Sequence, residues 1–270
     1  MGVGEGSIWL IGCGNMAGAM LHGWLDAGVP VERFTVVRPS GFAPAPGVRT
    51  LTELPFGEPA PGIVMLGVKP VKIDAVAPAL APLVGTETVL VSILAGVEVA
   101  SLRARLPGPT AVVRAMPNLP VRLRAGVIGL FADGLDETRR AEITALMSLL
   151  GLAEWVSDEA ALDAVSVLAG SGPAFVYRFI DALAAAGVEI GMNKDQARRL
   201  ALATAEGAAM LAARAESSPA VLADRVASPG GSTRKGLDVL DEADALRRLL
   251  SQTLAASRRR VAEMATEARA

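Results

Sequence analysis

Two glycine-containing segments carry the residues whose spacing could do chemistry. Towards the C-terminal end, Ala227-Ser228-Pro229-Gly230-Gly231-Ser232-Thr233 runs two glycines into two hydroxyl residues, and a helix-like sequence follows. A helix start of this kind offers free backbone N–H groups beside the Ser232 and Thr233 hydroxyls, a setting that favours a small anion such as a carboxylate. Towards the N-terminal end, Gly12-Cys13-Gly14-Asn15-Met16-Ala17 follows the apolar run 7–11 and opens a second helical pattern. This is the spacing of a dinucleotide-binding loop with Ala17 as the third small residue. Gly12 permits the tight turn, Gly14 lets the backbone approach a pyrophosphate, and Ala17 lets the helix lie close on a sheet. Together the loops point to a reductase acting on a small carboxylate-bearing molecule, with Gly231, Ser232 and Thr233 as its substrate contacts. An ordinary structural turn is the alternative for the first loop.

The end of the expected second strand speaks to the cofactor. Its sequence is Val37-Arg38-Pro39-Ser40, without a carboxylate. An Asp or Glu there would bind a ribose 2′-hydroxyl, whereas the planar fork of Arg38 suits a 2′-phosphate, with Ser40 adding a hydrogen bond. NADP(H) is therefore favoured over NAD(H); a solvated arginine at a loop start is the alternative. Val68-Lys69-Pro70 follows another apolar run, where Lys69 could face the cofactor or simply lie on the surface beside a turn. Cys13 reads as a small loop residue rather than a nucleophile, and His22 as a packing or surface residue on the first helix.

Composition narrows the class. At 270 residues and 51 % hydrophobic, the chain can bury one or two sizeable cores. Its 26 basic and 28 acidic residues leave a net charge of −2, which argues against nucleic-acid binding. One cysteine excludes an internal disulfide, and with one histidine it cannot build the usual zinc site, so no metal is expected and a reducing cytoplasm is the simplest compartment. The first residues, Glu5 among them, lack the basic stretch of a signal peptide. The weakly charged region 75–97 holds Glu87 and two prolines, so no membrane span is expected.

These motifs need elements to position them. Apolar, β-branched runs at 7–11, 33–37, 63–68, 88–92 and 111–115 read as strands, and 16–27 as a helix ending at Gly28. Strands alternating with helices imply an α/β fold whose parallel sheet is covered on both faces. The Pro- and Gly-rich stretch 39–61 reads as loop-like or abbreviated. Beyond about residue 157 the pattern turns all-α. A helix at 158–168 is interrupted by Gly170-Ser171-Gly172-Pro173, and the next runs from Pro173 to Ala186 with Gly187 as its stop. Asn193 and Gln196 resemble a capping box before a long helix to about 215, and Ser218-Pro219 starts a short one. From Thr233 onward the chain is helical, with a break near 241–244. Two domains are expected, 1–157 and 158–270. Ala201, Ala205, Ala208, Ala209 and Ala212 cover more than one helix stripe, which favours a homodimer of interlocked helices over a compact monomeric bundle.

With these pieces placed, the chain resembles the pyrroline-5-carboxylate reductases over nearly its whole length. The resemblance rests on the Gly12 loop, Val68-Lys69-Pro70, Arg114-Ala115-Met116-Pro117-Asn118 and Asp163-Ala164-Val165. Gly170-Ser171-Gly172-Pro173-Ala174-Phe175 and Ser228-Pro229-Gly230-Gly231-Ser232-Thr233 are its more specific parts. It implies an N-terminal Rossmann domain, a helical dimerisation and substrate domain, and dimers that can associate into a ring, with each active site completed by the partner subunit. It also implies that Ile11, Gly12, Cys13, Gly14, Asn15, Met16, Arg38, Val68, Lys69, Pro70, Ala95 and Gly96 touch NADP(H), with NAD(H) left open. Ser232 and Thr233 would hold the substrate, Thr233 matching the family's active-site threonine. This chain departs from the pattern at Leu119, where a threonine is usual, at Leu54, where an asparagine is usual, and at Arg234-Lys235, where apolar or small residues are usual.

The reaction so implied is the last step of proline biosynthesis, hydride transfer to the C=N carbon of 1-pyrroline-5-carboxylate. A cyclic imine can bind already protonated, so the lack of a convincing catalytic histidine or carboxylate dyad fits. Thr233 would hydrogen-bond the ring nitrogen while the surrounding N–H groups hold the carboxylate. Glu159 could assist electrostatically or simply favour its own helix start. A related NADP-dependent imine or β-hydroxyacid reductase, with Lys194 as the nearest candidate acid, stays open, as does a non-catalytic NADP-binding protein.

Overall fold

Successive residues of the first strands are buried on opposite sides, and that alternation organises the N-terminal part of the fold. The computed structural model describes residues 6–269, so the reading of the segment around Glu5 lies outside the described residues. In chain order the elements are β1 (Ile8–Ile11), α1 (Asn15–Asp26), β2 (Phe34–Val37), β3 (Arg49–Leu51), β4 (Ile63–Leu66), α2 (Ile73–Leu80), β5 (Val89–Ser92), α3 (Val99–Arg105), β6 (Ala111–Pro117), β7 (Gly126–Asp133), α4 (Glu137–Ser148) and β8 (Gly151–Trp155). There follow α5 (Glu159–Val165), α6 (Gly172–Glu189), α7 (Lys194–Arg214), α8 (Pro219–Arg225), α9 (Ser232–Asp241) and α10 (Ala245–Arg269). Two compact units result: Met1–Ser171 together with Ser257–Ala270, and Gly172–Ala256.

In the first unit eight strands form one sheet in the order β3-β2-β1-β4-β5-β6-β7-β8. Ile8 and Leu10 join one core with Ala17, Met20, Leu21 and Trp24 of α1 and Ile143, Leu146 and Met147 of α4. Trp9 and Ile11 join the opposite core with Ile73, Ala77 and Leu80 of α2 and Val99 and Leu102 of α3. The strands are therefore apolar on both faces, as a sheet sandwiched between helices requires. The Trp24 indole N–H donates to the Leu146 carbonyl at 2.8 Å, and its ring stacks on Phe34 with 5.8 Å between centroids. This satisfies the polar edge of a residue only 1 % exposed.

The expected sheet covered on both faces is present, with three strands beyond those expected. β3 lies inside the Pro- and Gly-rich stretch read as loop. β7 and β8 extend the sheet beyond β6. Every pairing is parallel except β6–β7. Only a short 3-10 turn, Leu119–Leu123, and Arg124 in the left-handed region join those two strands, and without a crossover helix the chain must reverse.

The second unit is helical. Gly187 does not stop α6 as expected: the helix runs to Glu189 and the chain turns at Gly191, whose φ is +103°. Gly187 instead lies against α7, where an added Cβ would sit 3.3 Å from Ala197 Cβ. The side chain of Asn193 caps α7 by accepting from the Asp195 and Gln196 amides, and Ser218 caps α8. The expected break before α10 falls at Ala243 and Asp244, both with positive φ. In α7 only Ala197 and Ala201 are buried, and in α6 no residue is. Phe179, Leu183, Ile190, Leu202 and Leu211 are all exposed. An apolar surface of this extent on one chain marks an interaction face. The run 159–189 is also long and apolar enough, by length and composition alone, to cross a membrane.

Candidate functional site

The C-terminal ends of β1, β2 and β4 meet where the strand order turns back on itself, the place where open α/β sheets bind ligands. Gly12 leaves β1 with φ +82°, and a Cβ there would come within 2.7 Å of Val68 Cγ1 and 2.9 Å of Val68 N. No other residue type fits this turn. Its N–H donates to the Val37 carbonyl, and that of Gly67 to the Ile11 carbonyl, so the loop is fastened to both neighbouring strands. A Cβ on Gly14, by contrast, would meet nothing within 4 Å. The Gly14 backbone is thus open to a ligand at the start of α1, where no side chain caps the first turn and no acidic residue opposes an anion.

From this loop a cleft of about 850 Å³ extends over β2 and β4, lined by Ile11, Gly12, Cys13, Gly14, Arg38, Ser40, Val68, Lys69 and Lys72. A second recess adds Asn15, Met16 and Ile93. Arg38, Lys69 and Lys72 form no ion pair among the described residues, which leaves their charge for a bound phosphate. Ser40 lies beside Arg38, its hydroxyl accepting from the Phe42 amide at 3.4 Å. Pro70 opens the short turn that leads from the cleft into α2. Cys13 is buried, and that burial pushes its thiol pKa up against the pull of Arg38, as suits a loop residue rather than a nucleophile. Leu54, where the family pattern has an asparagine, lines the cleft as an apolar wall. His22 is half-buried on α1, away from the cleft lining.

Ala95 and Gly96 occupy the turn between β5 and α3, with Gly96 at φ +75°. Next to them Arg114, Glu159 and Asp163 come together, a juxtaposition that the sequence does not announce. Arg114, on β6 and 1 % exposed, donates from Nη1 to Glu159 Oε1 at 2.6 Å and pairs through Nη2 with Asp163 at 3.6 Å. The same Glu159 oxygen accepts from the Val99 amide at 3.0 Å, at the first residue of α3. Arg114, Asp163, Ala95 and Gly96 line one small cavity of about 20 Å³. Burial pushes the Asp163 carboxyl above its usual value against the pull of Arg114, with Glu159 and Glu98 acting in the same direction as burial. Asn118, just past β6, donates to the Ala169 carbonyl and accepts from the Val127 amide. A charged residue inside the apolar run 111–117 and acidic residues at i, i+4 were the available signals.

In the second unit Gly230 has φ +74°, Gly231 is the N-cap of α9 and donates to the Ser228 carbonyl at 2.9 Å, and Ser232 and Thr233 stand exposed in the first turn. No acidic residue lies in that turn. Arg234 is turned onto Asp224 of α8 at 2.7 Å, and Lys235 pairs with Asp238 one turn on at 3.5 Å. The unusual basic pair is therefore tied back within its own unit. Lys194 is the first residue of α7, behind the Asn193 cap.

The chain is similar to known proteins over nearly its whole length. Residues 159–264 match the family model for pyrroline-5-carboxylate reductase dimerisation. The chain is 38 % identical to the pyrroline-5-carboxylate reductase of Pseudomonas aeruginosa, over 96 % of its own length and 97 % of that protein. The solved pyrroline-5-carboxylate reductase of Coxiella burnetii superposes with a TM-score of 0.90 at 33 % identity, covering 97 % of this chain and 99 % of that one. The Plasmodium falciparum pyrroline carboxylate reductase, solved with NADP bound, shares the fold with a TM-score of 0.85 at 23 % identity, over 98 % of this chain and 100 % of that one. By the extent and identity of these matches, the chain belongs to the pyrroline-5-carboxylate reductase family.

Proposed function

We propose that this protein reduces 1-pyrroline-5-carboxylate to L-proline with NADPH. The observation that carries the reading is the near full-length similarity to named reductases, joined to a glycine loop whose Gly14 backbone opens onto a cleft lined with uncommitted cations. The cleft fits a dinucleotide phosphate: the crowded Gly12 and open Gly14 make the cradle, and Arg38 with Ser40 takes a 2′-phosphate. When bound there, the cofactor supplies hydride to a C=N carbon.

The chain's own contribution is binding and orientation. Backbone N–H groups at Gly231, Ser232 and Thr233 hold the substrate carboxylate, and the Thr233 hydroxyl hydrogen-bonds the ring nitrogen that gains electron density. A protonated imine brings its own proton, so a neutral hydroxyl suffices. Holding the ring in a reactive orientation can remove about 7 kcal/mol or more of the barrier. The 158–270 segment serves dimerisation and substrate binding, and 1–157 the cofactor. The exposed apolar faces of α6 and α7 meet a second copy of the chain rather than lipid, giving a homodimer able to build a ring of dimers in the cytoplasm.

NADPH consumption with 1-pyrroline-5-carboxylate, run beside other cyclic imines and β-hydroxyacids, tests the proposal. L-proline as the identified product and preferred reaction supports it. A faster reaction on a β-hydroxyacid, or binding of NADPH without consumption across the panel, overturns it.

A further inference from the structure

Rossmann-type binding places the nucleotide halves on opposite sides of the central strand. With Arg38 at the end of β2, the ends of β4 and β5 and the turn that carries Ala95 and Gly96 would take the far half of the cofactor. That turn is short and must be held at both ends to keep its position. At its start, the Ile93 amide donates to the Leu66 carbonyl at 3.2 Å, and the Leu94 amide to the Ser92 hydroxyl at 3.3 Å. At its end, Val99 opens α3 with no cap from the preceding residue's side chain. The Val99 amide is satisfied instead by Glu159, reaching across 60 residues of sequence.

Glu159 can do this because its carboxylate is itself held. Arg114 fixes it at 2.6 Å from within the sheet, and Arg114 has little freedom at 1 % exposure. Asp158 caps α5 by accepting from the Ala161 amide, so the side chain of Glu159 is not needed for its own helix start. One carboxylate thus joins β6, α5 and the start of α3, where the Ala95 turn ends.

We propose that Glu159 is a positioning residue for cofactor binding: anchored on Arg114, it fixes the Val99 amide and so holds Ala95 and Gly96 in place at the nicotinamide end of the cleft. This rests on the cofactor-binding role of Ala95 and Gly96. It replaces a direct electrostatic action of Glu159 on the substrate. Glu159→Gln keeps an oxygen for the Val99 amide and for Arg114, whereas Glu159→Ala removes both contacts. Val99→Pro deletes the N–H and also replaces a buried side chain, for which Val99→Ala, keeping the N–H, is the control and should leave NADPH binding unchanged. Proline is accepted at the first position of a helix, and Glu98 is already extended at φ −80° and ψ 161°, as a residue before proline should be.

The experiment compares the Kd of NADPH with that of 2′,5′-ADP, which probes only the Arg38 end. It is run well below the Tm of each variant, with folding checked by circular dichroism. Glu159→Ala and Val99→Pro are each expected to weaken NADPH about tenfold, the scale of one hydrogen bond to a charged acceptor, and to leave 2′,5′-ADP unchanged. Glu159→Gln should restore most of the loss, and the double variant Glu159→Ala with Val99→Pro should lose no more than either single one. Should Glu159→Ala fail to fold, Val99→Pro alone carries the test. Unchanged NADPH affinity in folded Val99→Pro, equal weakening of both ligands, or turnover in Glu159→Gln as low as in Glu159→Ala would overturn the proposal. Failure of the wild-type protein to bind 2′,5′-ADP would instead count against the Arg38 site.

Discussion

Gly67 lies so close to Ala17 that a Cβ on the glycine would come within 2.8 Å of Ala17 Cβ and 2.7 Å of the Gly12 carbonyl oxygen. The end of β4 and the first turn of α1 are therefore pressed together, and the loop between β1 and α1 keeps its shape because neither side can grow. Gly67→Ala must push α1 off the sheet. Overpacking of this kind costs about 1–3 kcal/mol, or a Tm lower by roughly 2–12 °C for a protein of this size. NADPH binding should weaken with it. A thermal melt and a fluorescence titration on one variant check both.

Arg38 is the element that selects the phosphorylated cofactor. Arg38→Ala removes charge-assisted hydrogen bonds to the 2′-phosphate and should raise the Kd of NADPH by about ten- to a hundredfold. NADH, lacking that phosphate, should change little. Parallel titrations with the two cofactors measure the difference, and equal losses for both would remove Arg38 from the specificity role.

Asp163 gives the fold a pH dependence whose sign follows from its surroundings. Burial holds its carboxyl above the usual value of 3.8, so the folded state favours the protonated form. The stability linked to that proton is complete below the unfolded value and is lost as pH rises through the raised one. Asp163→Asn carries no such loss. It should be more stable than wild type at neutral pH, with the gap closing as pH falls towards 3.8. Chemical denaturation across that range measures it.

Cys13 should be slow to react although it lies in the loop that lines the cleft. It is 7 % exposed and its thiol is held neutral by burial. A thiol-specific reagent should titrate little in the native protein near pH 8 and one equivalent after denaturation. Fast native labelling would show that the loop opens.

The legible parts of this molecule were those whose chemistry is local. The strand, loop and first helix around Gly12 announce themselves within a single short stretch, and the Asn193 and Ser218 caps lie next to the helices they start. The edges of the sheet were not legible. β3 is three residues long with Arg49 exposed, too short and polar for any period to show. β7 carries Gly126 and Gly129, which weaken a strand pattern. Gly129 is there because a Cβ would meet Val165 Cγ1 of α5 at 2.8 Å, a tertiary reason that no local reading contains. The Arg114 cluster was hidden for the same cause: its arginine and glutamate are 45 residues apart and meet only once β6 and α5 are packed. Similarly, the extension of α6 past Gly187 follows from its contact with Ala197, whereas glycine by itself reads as a stop.

The proposed reaction turns on a neutral hydroxyl in the first turn of α9, with the hydride left to a bound cofactor. The turnover of Thr233→Ala at saturating NADPH, measured beside its Kd for NADPH, tests that most directly. Loss of the hydrogen bond at the ring nitrogen should lower kcat by about tenfold or more, since such donors act mainly in the transition state, and leave the Kd within about twofold. Unchanged turnover, or a fall explained by lost NADPH binding alone, would contradict the role of Thr233.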